Sequence, residues 1–186
     1  MSPLLIPGRD LDGYPVVDVN TGEDVAEIRD VVFDPASGLL TGFTLNKRGS
    51  WSGRLRAVLP IEGVSAVGSG AVMISDPDAL VAGEEEAQDI NAASDADAEV
   101  VDDLVVTESG QTLGTVRDVV IMGGASPRVV GFEIVTGADR TQYVPKSPHG
   151  GVSASALIVP DDYEARVGDD LAGLADQLDR LSQEQP

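Results

Sequence analysis

The sequence predicts a mainly β protein: two small antiparallel β-barrels in tandem, followed by a C-terminal amphipathic α-helix. Three observations predict this fold. A segment of about a dozen residues recurs once, 88 positions further along the chain. Short apolar runs rich in β-branched residues alternate with turn residues in both copies of the repeat. After Pro160 the apolar residues change to the spacing of a helix.

The internal repeat defines the organisation of the chain. Residues 21–32 align with residues 109–120, and Gly, Arg, Asp, Val and Val recur in place. After one extra residue in the following loop, residues 42–43 recur as residues 131–132, Gly-Phe in both cases. A spacing of 88 residues exceeds that of a solenoid repeat and suits a small domain that closes its own core. We therefore expect two separate closed interiors, which either pack together or drift apart.

Turn residues separate the apolar runs within each copy. Gly22 and Gly110 stand where a tight turn needs positive φ, which a β-carbon resists. A further turn is expected at Gly68-Ser69-Gly70. We expect about five or six short strands per copy. Because so small a sheet has two exposed edges, curling it into a barrel would pair those edges and enclose the apolar residues.

Composition divides the chain into four segments. The first barrel is expected at residues 1–80 and the second at residues 99–160. Between them, residues 81–98 are acidic and Ala-rich with no basic side chain, which is typical of a solvated linker. Residues 161–186 form the predicted C-terminal helix and tail.

The predicted helix carries one apolar stripe that something must cover. Its spacings of 4, 4, 3, 4 and 3 place these side chains on one helical face: Tyr163, Val167, Leu171, Leu174, Leu178 and Leu181. One interpretation is that the helix packs on a barrel, which Gly168 and Gly173 favour because they weaken an isolated helix. The other is a homodimer seam, since the spacing is also heptad-like.

Charge and residue usage exclude several classes of function. The 186 residues include 12 basic and 32 acidic side chains, a net charge of −20, which disfavours binding of nucleic acid or anionic membranes by the whole surface. Zero Cys and one His exclude disulfides, thiolate zinc sites and multi-histidine metal cages. No apolar run is long enough to cross a bilayer, so we expect a cytoplasmic protein. No metal and no cofactor are expected.

The first copy of the repeat resembles a known family. The residues that carry the resemblance are Gly-Glu-Asp-Val-Ala-Glu-Ile-Arg-Asp-Val-Val-Phe-Asp-Pro at 22–35 and Gly-Leu-Leu-Thr-Gly-Phe at 38–43. They are similar to the first half of the PRC-barrel family, and the resemblance covers about residues 8–78 and, less well, about residues 99–160. The second copy departs from the motif where Asp-Pro at 34–35 becomes Met-Gly at 122–123.

The resemblance implies a tandem PRC-barrel protein, an adaptor rather than a catalyst. That family includes the cytoplasmic part of the photosynthetic reaction-centre H subunit, which packs against partner subunits. It also includes the C-terminal domain of ribosome-maturation factors, which engages a ribosomal protein. We therefore expect a protein partner, with an RNA- or ribosome-assembly role as the alternative.

One basic loop is the strongest candidate for partner binding. It contains the only Trp of the chain and four basic residues within ten positions: Lys47, Arg48, Trp51, Arg54 and Arg56. A basic hairpin with an aromatic tip can anchor in a partner's pocket or stack on a base. The alternative is an ordinary hairpin whose Trp caps the barrel mouth. The second copy lacks this feature, so the loop is not part of the shared scaffold.

Catalysis is not expected from these residues. His149 lies in a predicted loop without a recognisable nucleophile partner, and neither a nucleophile elbow nor a phosphate loop is present. Asp18-x-Asn20-x-Gly22 faintly resembles a calcium loop, but the position that needs a bidentate Glu is Arg29. The recurring pair Arg29-Asp30, repeated at 117–118, is interpreted as scaffold, with Asp accepting backbone N–H bonds.

Overall fold

The structure, a computed structural model, describes residues 3–34, 39–47, 54–81, 101–146, 152–153 and 156–184. The acidic linker predicted at residues 81–98 falls outside the described residues except for Val81. His149 also lies outside them.

The described chain is mainly β and contains two sheets. A short strand, β1 (Leu5–Pro7), comes first. The first sheet contains β2 (Pro15–Asp18), β3 (Asp24–Asp34), β4 (Leu39–Asn46), β5 (Arg54–Pro60), β6 (Val64–Val67) and β7 (Val72–Ile74), in the order β5-β4-β3-β2-β7-β6. The second sheet contains β8 (Leu104–Thr107), β9 (Thr112–Met122), β10 (Arg128–Thr136), β11 (Thr141–Pro145), β12 (Val152–Ser153) and β13 (Ala156–Val159), in the order β11-β10-β9-β8-β13-β12.

The two sheets share one topology, as the sequence repeat predicts. The strand orders are identical once each strand is matched to its counterpart six places later. In both sheets one parallel pair, β2 with β7 and β8 with β13, joins otherwise antiparallel ladders. Gly42 stands opposite Val32, and Gly131 stands opposite Val120, so the aligned residues occupy equivalent positions.

Gly22 and Gly110 have φ values of +73° and +86° in the turns that enter β3 and β9. This confirms the prediction of positive φ, which a side chain would strain. The turn at 68–70 is also present, where the Gly68 N–H donates to the Ala71 carbonyl at 2.9 Å.

The pairing among the described residues does not confirm two closed barrels. β5 and β6 stand at opposite ends of the first sheet, and β11 and β12 at opposite ends of the second. In the first sheet, the segment after β7 returns to the edge strand β5, where Val81 pairs with Val58 in an isolated bridge. In the second sheet, the segment after β13 returns to the edge strand β11, where Gly168 pairs with Tyr143 in the same way. Each sheet is therefore described as partly curled.

The first strand crosses from one copy to the other. β1 pairs antiparallel with β9 of the second sheet, Leu5 opposite Met122 and Pro7 opposite Val120. β8 pairs with the N-terminal half of β9, from Thr112 to Thr115. β1 therefore occupies the remaining half of that edge, and the N-terminus ties the two sheets together.

The expectation of two separate interiors is wrong for this structure. One continuous apolar cluster includes side chains of both copies. Its fully buried members include Leu11, Ile28, Phe43, Leu45, Leu59, Val105, Val116, Ile121 and Ile134. A further contact between the halves is the bridge of Val67 with Gly124. The sequence repeat did not reveal this merger because both copies keep the same apolar pattern whether or not their cores join.

The C-terminal helix, α1 (Leu171–Glu184), is shorter than the segment predicted to be helical. Residues Tyr163–Ala165 form only a single 3-10 turn, and Gly168 exchanges backbone hydrogen bonds with Tyr143, which holds the preceding chain against β11. Leu174 is fully buried against Val120 and Val130 on the outer face of the second sheet. The helix thus packs on its own chain, one of the two predicted alternatives. No helix in the described ranges is long and apolar enough to cross a membrane.

Candidate functional site

The structure places the predicted basic loop on the hairpin of β4 and β5. Lys47 is exposed directly after β4. Arg54 and Arg56 lie on β5, with Arg54 opposite Asn46. Arg48 and Trp51 lie outside the described residues. The hairpin position agrees with the predicted loop, and the role of these five residues in binding stays a prediction.

A second site joins the two copies through Arg9. Its Nη2 donates to Glu133 Oε2 at 2.8 Å and its Nη1 to Asp118 Oδ2 at 3.3 Å. The backbone N–H of Arg9 also donates to Asp118 Oδ2, at 3.1 Å. One residue of the N-terminal segment thus makes three hydrogen bonds with two carboxylates of the second sheet.

Glu133 has further partners. The hydroxyl of Tyr143 donates to Glu133 Oε2 at 3.1 Å, and Arg117 Nε lies 3.6 Å from Oε1. The side chains of Glu133 and Asp118 are only 3% and 10% exposed, whereas that of Arg9 is 48% exposed. The carboxylates therefore form a pocket, here called the carboxylate pocket (Asp118, Glu133 and Tyr143), and Arg9 covers it from the solvent side.

Local structure positions every member of this pocket. Asp118 and Glu133 stand directly opposite each other on β9 and β10, so their side chains meet on one face. Arg9 lies on the 3-10 turn Gly8–Leu11 that follows β1. A β-carbon on Gly8 would lie 2.8 Å from Asp118 Oδ1, so a larger residue here would displace the Asp118 carboxylate.

Burial and charge act in opposite directions on these groups. Burial raises the pKa of the Asp118 carboxyl, although the N–H groups of Arg9 and Val119 that donate to it act to lower it. The pKa of Arg9 is raised, chiefly by its hydrogen bond to Glu133, so the guanidinium stays charged. Burial and the negative charge of Glu133 raise the pKa of Tyr143, which therefore keeps its donating proton. The arrangement is suited to holding a cation.

The sequence prediction found part of this site. Asp118 was predicted to accept backbone N–H bonds, and it does so from Arg9 and Val119. Arg9, Glu133 and Tyr143 were not singled out. The available signal was Glu133 itself, the one charged residue in the apolar strand run Val-Val-Gly-Phe-Glu-Ile-Val.

A groove of about 550 Å³ lies between α1 and the second sheet. It is lined by Pro3, Met122, Arg128, Val129, Val130, Lys146, Leu178, Asp179 and Ser182. Burial lowers the pKa of Lys146. Two basic residues, Arg128 and Lys146, line the groove together with Asp179. The charge of the groove therefore does not favour a ligand of one particular sign.

The described residues do not favour a metal site. The Asp18 carboxylate accepts hydrogen bonds from the Asn20 N–H at 2.9 Å and from the Thr21 hydroxyl at 3.0 Å, so it holds the turn before β3. Within the described ranges no three His, Cys, Asp or Glu side chains form a group that could hold a metal ion.

Comparison with known protein families gives a match. The family model of the PRC-barrel domain matches residues 5–81, which contain β1 and all six strands of the first sheet. A search of the curated proteins found no match.

Proposed function

Since the chain contains a PRC-barrel domain at residues 5–81, which indicates a protein-interaction module in general, we propose that it is a non-enzymatic adaptor that binds a protein partner in the cytoplasm. The family match is the observation that carries the proposal. The shared strand order supports assigning the second copy to the same type.

The adaptor we propose presents its two copies at a fixed separation. The continuous apolar cluster supports this arrangement, since it includes side chains of both sheets. Two recognition surfaces held in one orientation raise avidity only for a partner whose spacing matches them. A homodimer through α1 is not needed to cover Leu174, which packs within the chain.

The hairpin of β4 and β5 is the proposed contact with the partner. Lys47 is exposed at its end, on a chain whose net charge is −20, and the sequence places Trp51 and three Arg residues nearby. Trp and Arg dominate the binding energy of many protein interfaces. The equivalent hairpin of the second copy carries Asp139 and Arg140 instead.

Affinity capture from native lysate tests this contact. The tagged full chain serves as bait, and recovery of each partner is compared between wild type and Trp51→Ala, with Arg140→Ala as the matched control on the other hairpin. We expect Trp51→Ala to reduce recovery about tenfold, as loss of an interface anchor does, and Arg140→Ala to leave it unchanged. Equal recovery by both variants would remove the hairpin from the interface, and failure of wild type to recover any specific partner would overturn the adaptor proposal.

The RNA-associated alternative predicts a different result. The full chain would bind ribosomal RNA fragments at low salt, with affinity that falls steeply as salt rises. The net charge of −20 opposes such binding. Measurable low-salt binding that is lost in Trp51→Ala would favour the alternative over the adaptor.

A further inference from the structure

We propose that the carboxylate pocket and the adjoining half of β9 form a docking site for an extended protein segment with an arginine two residues after its pairing strand, and that the chain's own residues 5–9 occupy this site as a competitor. The inference rests on the proposed adaptor function and names the chemistry of the partner. It also assigns the N-terminal segment an autoinhibitory contact.

The pocket has the chemistry that recognises a guanidinium. Glu133 and Asp118 each accept from a different Nη atom of Arg9, so the planar fork is bound at both tips. The Tyr143 hydroxyl donates to the same Oε2 atom of Glu133 and helps to orient it. A lysine ammonium is a single point charge and lacks this two-tipped geometry.

The neighbouring edge of β9 has the geometry that binds an extended segment. Leu5, Ile6 and Pro7 add to it as an antiparallel strand, and Gly123 N–H donates to the Leu4 carbonyl at 2.8 Å. Ile6 is buried in the main core, while Leu5 packs against the cluster beneath α1. Backbone pairing with alternate side chains in separate pockets is the mode of strand addition in peptide recognition.

The first copy shows that the sheet does not require this pocket. The position of Glu133 is occupied there by Thr44, opposite Asp30, within the same strand order. The fold is therefore built with a threonine at this point, and a buried glutamate needs a reason beyond the scaffold. A cation-binding role supplies that reason, because a buried carboxylate is costly unless it is paired.

The small extent of the pairing between residues 5–9 and β9 allows exchange. Only three residues pair with β9, and short strands add little stability by themselves. Their strength as a competitor comes from tethering, which gives an effective concentration in the millimolar range. A partner segment binds when its affinity and concentration outweigh those of the tethered residues 5–9. It also binds when a change weakens the contact of residues 5–9 with the site.

The test uses a fluorescein-labelled peptide with the sequence of residues 3–10, Pro-Leu-Leu-Ile-Pro-Gly-Arg-Asp, and fluorescence anisotropy. Matched peptides replace its Arg by Ala or by Lys. The full-length protein is measured as wild type and as Arg9→Ala. We expect the Arg peptide to bind the Arg9→Ala protein about tenfold or more tightly than wild type, and the Ala and Lys peptides to lose about tenfold, as loss of charge-assisted hydrogen bonds does.

Three outcomes would overturn the inference. Folded Arg9→Ala protein that does not bind the Arg peptide, or that binds the Arg and Ala peptides equally, would make the contact structural only. If circular dichroism shows that Arg9→Ala is unfolded, the full-length Arg9→Lys variant is measured by the same criteria. Loss of folding in both variants would show that residues 5–9 are an inseparable part of the fold. None of these results changes the test of Trp51, so the adaptor proposal stands or fails separately.

Discussion

Asp30 and Asp118 occupy the same position in two copies of one sheet, yet their environments differ. Asp30 is 53% exposed and pairs with its neighbour Arg29 at 2.6 Å, while the Thr44 hydroxyl donates to it at 3.2 Å. Asp118 is 10% exposed, faces Glu133 and pairs with Arg9, which is 109 positions away. One substitution on the facing strand, Thr in the first copy and Glu in the second, accompanies the change from a local ion pair to a long-range one.

The comparison teaches that the duplicated copies are not interchangeable. The first copy satisfies its aspartate locally, so its pair does not depend on the other half. The second copy has a buried excess of negative charge that requires a cation from elsewhere. Its outer face also relies on α1, whose Leu174 is fully buried there. The second copy therefore depends on both ends of the chain.

The largest expected effect is on the helix side of the second copy. Leu174→Ala removes a fully buried side chain and should lower the free energy of unfolding by about 2–5 kcal/mol. Arg180→Ala, at an exposed position on the same helix, is the matched control and should change it by less than about 0.5 kcal/mol. Urea unfolding of the full chain measures both. Equal, small effects would show that the helix does not stabilise the chain by this packing.

The next effect compares the two ion pairs directly. Arg9→Ala removes the Arg9 guanidinium from two buried carboxylates, although Arg117 remains near Glu133. We expect a cost of about 2–3 kcal/mol, reduced from the value of a fully buried pair because Arg9 is half exposed. Arg29→Ala, the counterpart in the first copy, should cost less than about 1 kcal/mol. Chemical denaturation of the two variants gives the difference. A larger loss for Arg29→Ala would reverse the comparison.

A smaller effect is expected when Glu133 of the carboxylate pocket is replaced by threonine, the residue at the equivalent position of the first copy. Glu133→Thr should restore about 1–2 kcal/mol in the Arg9→Ala background, because it removes a buried charge that has lost its Arg9 partner. In the presence of Arg9 the same substitution should destabilise the chain, since it removes a partner. Completing this double-mutant cycle by urea unfolding measures the coupling. Additive effects would show that Arg9 and Glu133 act independently.

The smallest effect is a dependence on pH. The folded-state pKa of Asp118 is raised by burial above the usual 3.8, so the folded state binds the proton more strongly than the unfolded state. The stability that this shift contributes is fully present at pH values below the usual pKa, and it is lost as the pH rises through the folded-state pKa of Asp118. Asp118→Asn lacks this loss, so its stability relative to wild type should increase with pH from about 4 upward. A constant or falling difference in urea unfolding would contradict the direction of the shift.

Much of the fold follows from local signals in the sequence. The strands, the two positive-φ glycines and the equivalent positions of the two copies are encoded in β-branched runs, turn residues and the repeat. The packing face of α1 was also predictable, because Leu171, Leu174 and Leu178 share one side of a helix. The start of the helix at Leu171 was not, because Gly168 is held by backbone bonds to Tyr143 that no local pattern reveals.

The candidate pocket was harder to predict because its parts are distant in sequence. Arg9 and Glu133 meet only after β1 has crossed to β9, and periodicity within a strand does not specify a partner in another copy. Asp118 resembled Asp30 in its local sequence, which favoured one role for both. The difference became visible only with the residue on the facing strand, Thr44 or Glu133.

The crossing of β1 also has a consequence for synthesis on the ribosome. Arg9 emerges 109 residues before Asp118, an interval on the order of ten seconds at ordinary elongation rates. During that interval the first strand has no β9 to pair with, although the residues of the first sheet are already available. β1 therefore completes its pairing with β9 only after Met122 has been made, and until then this strand of a newly made chain lacks its partner.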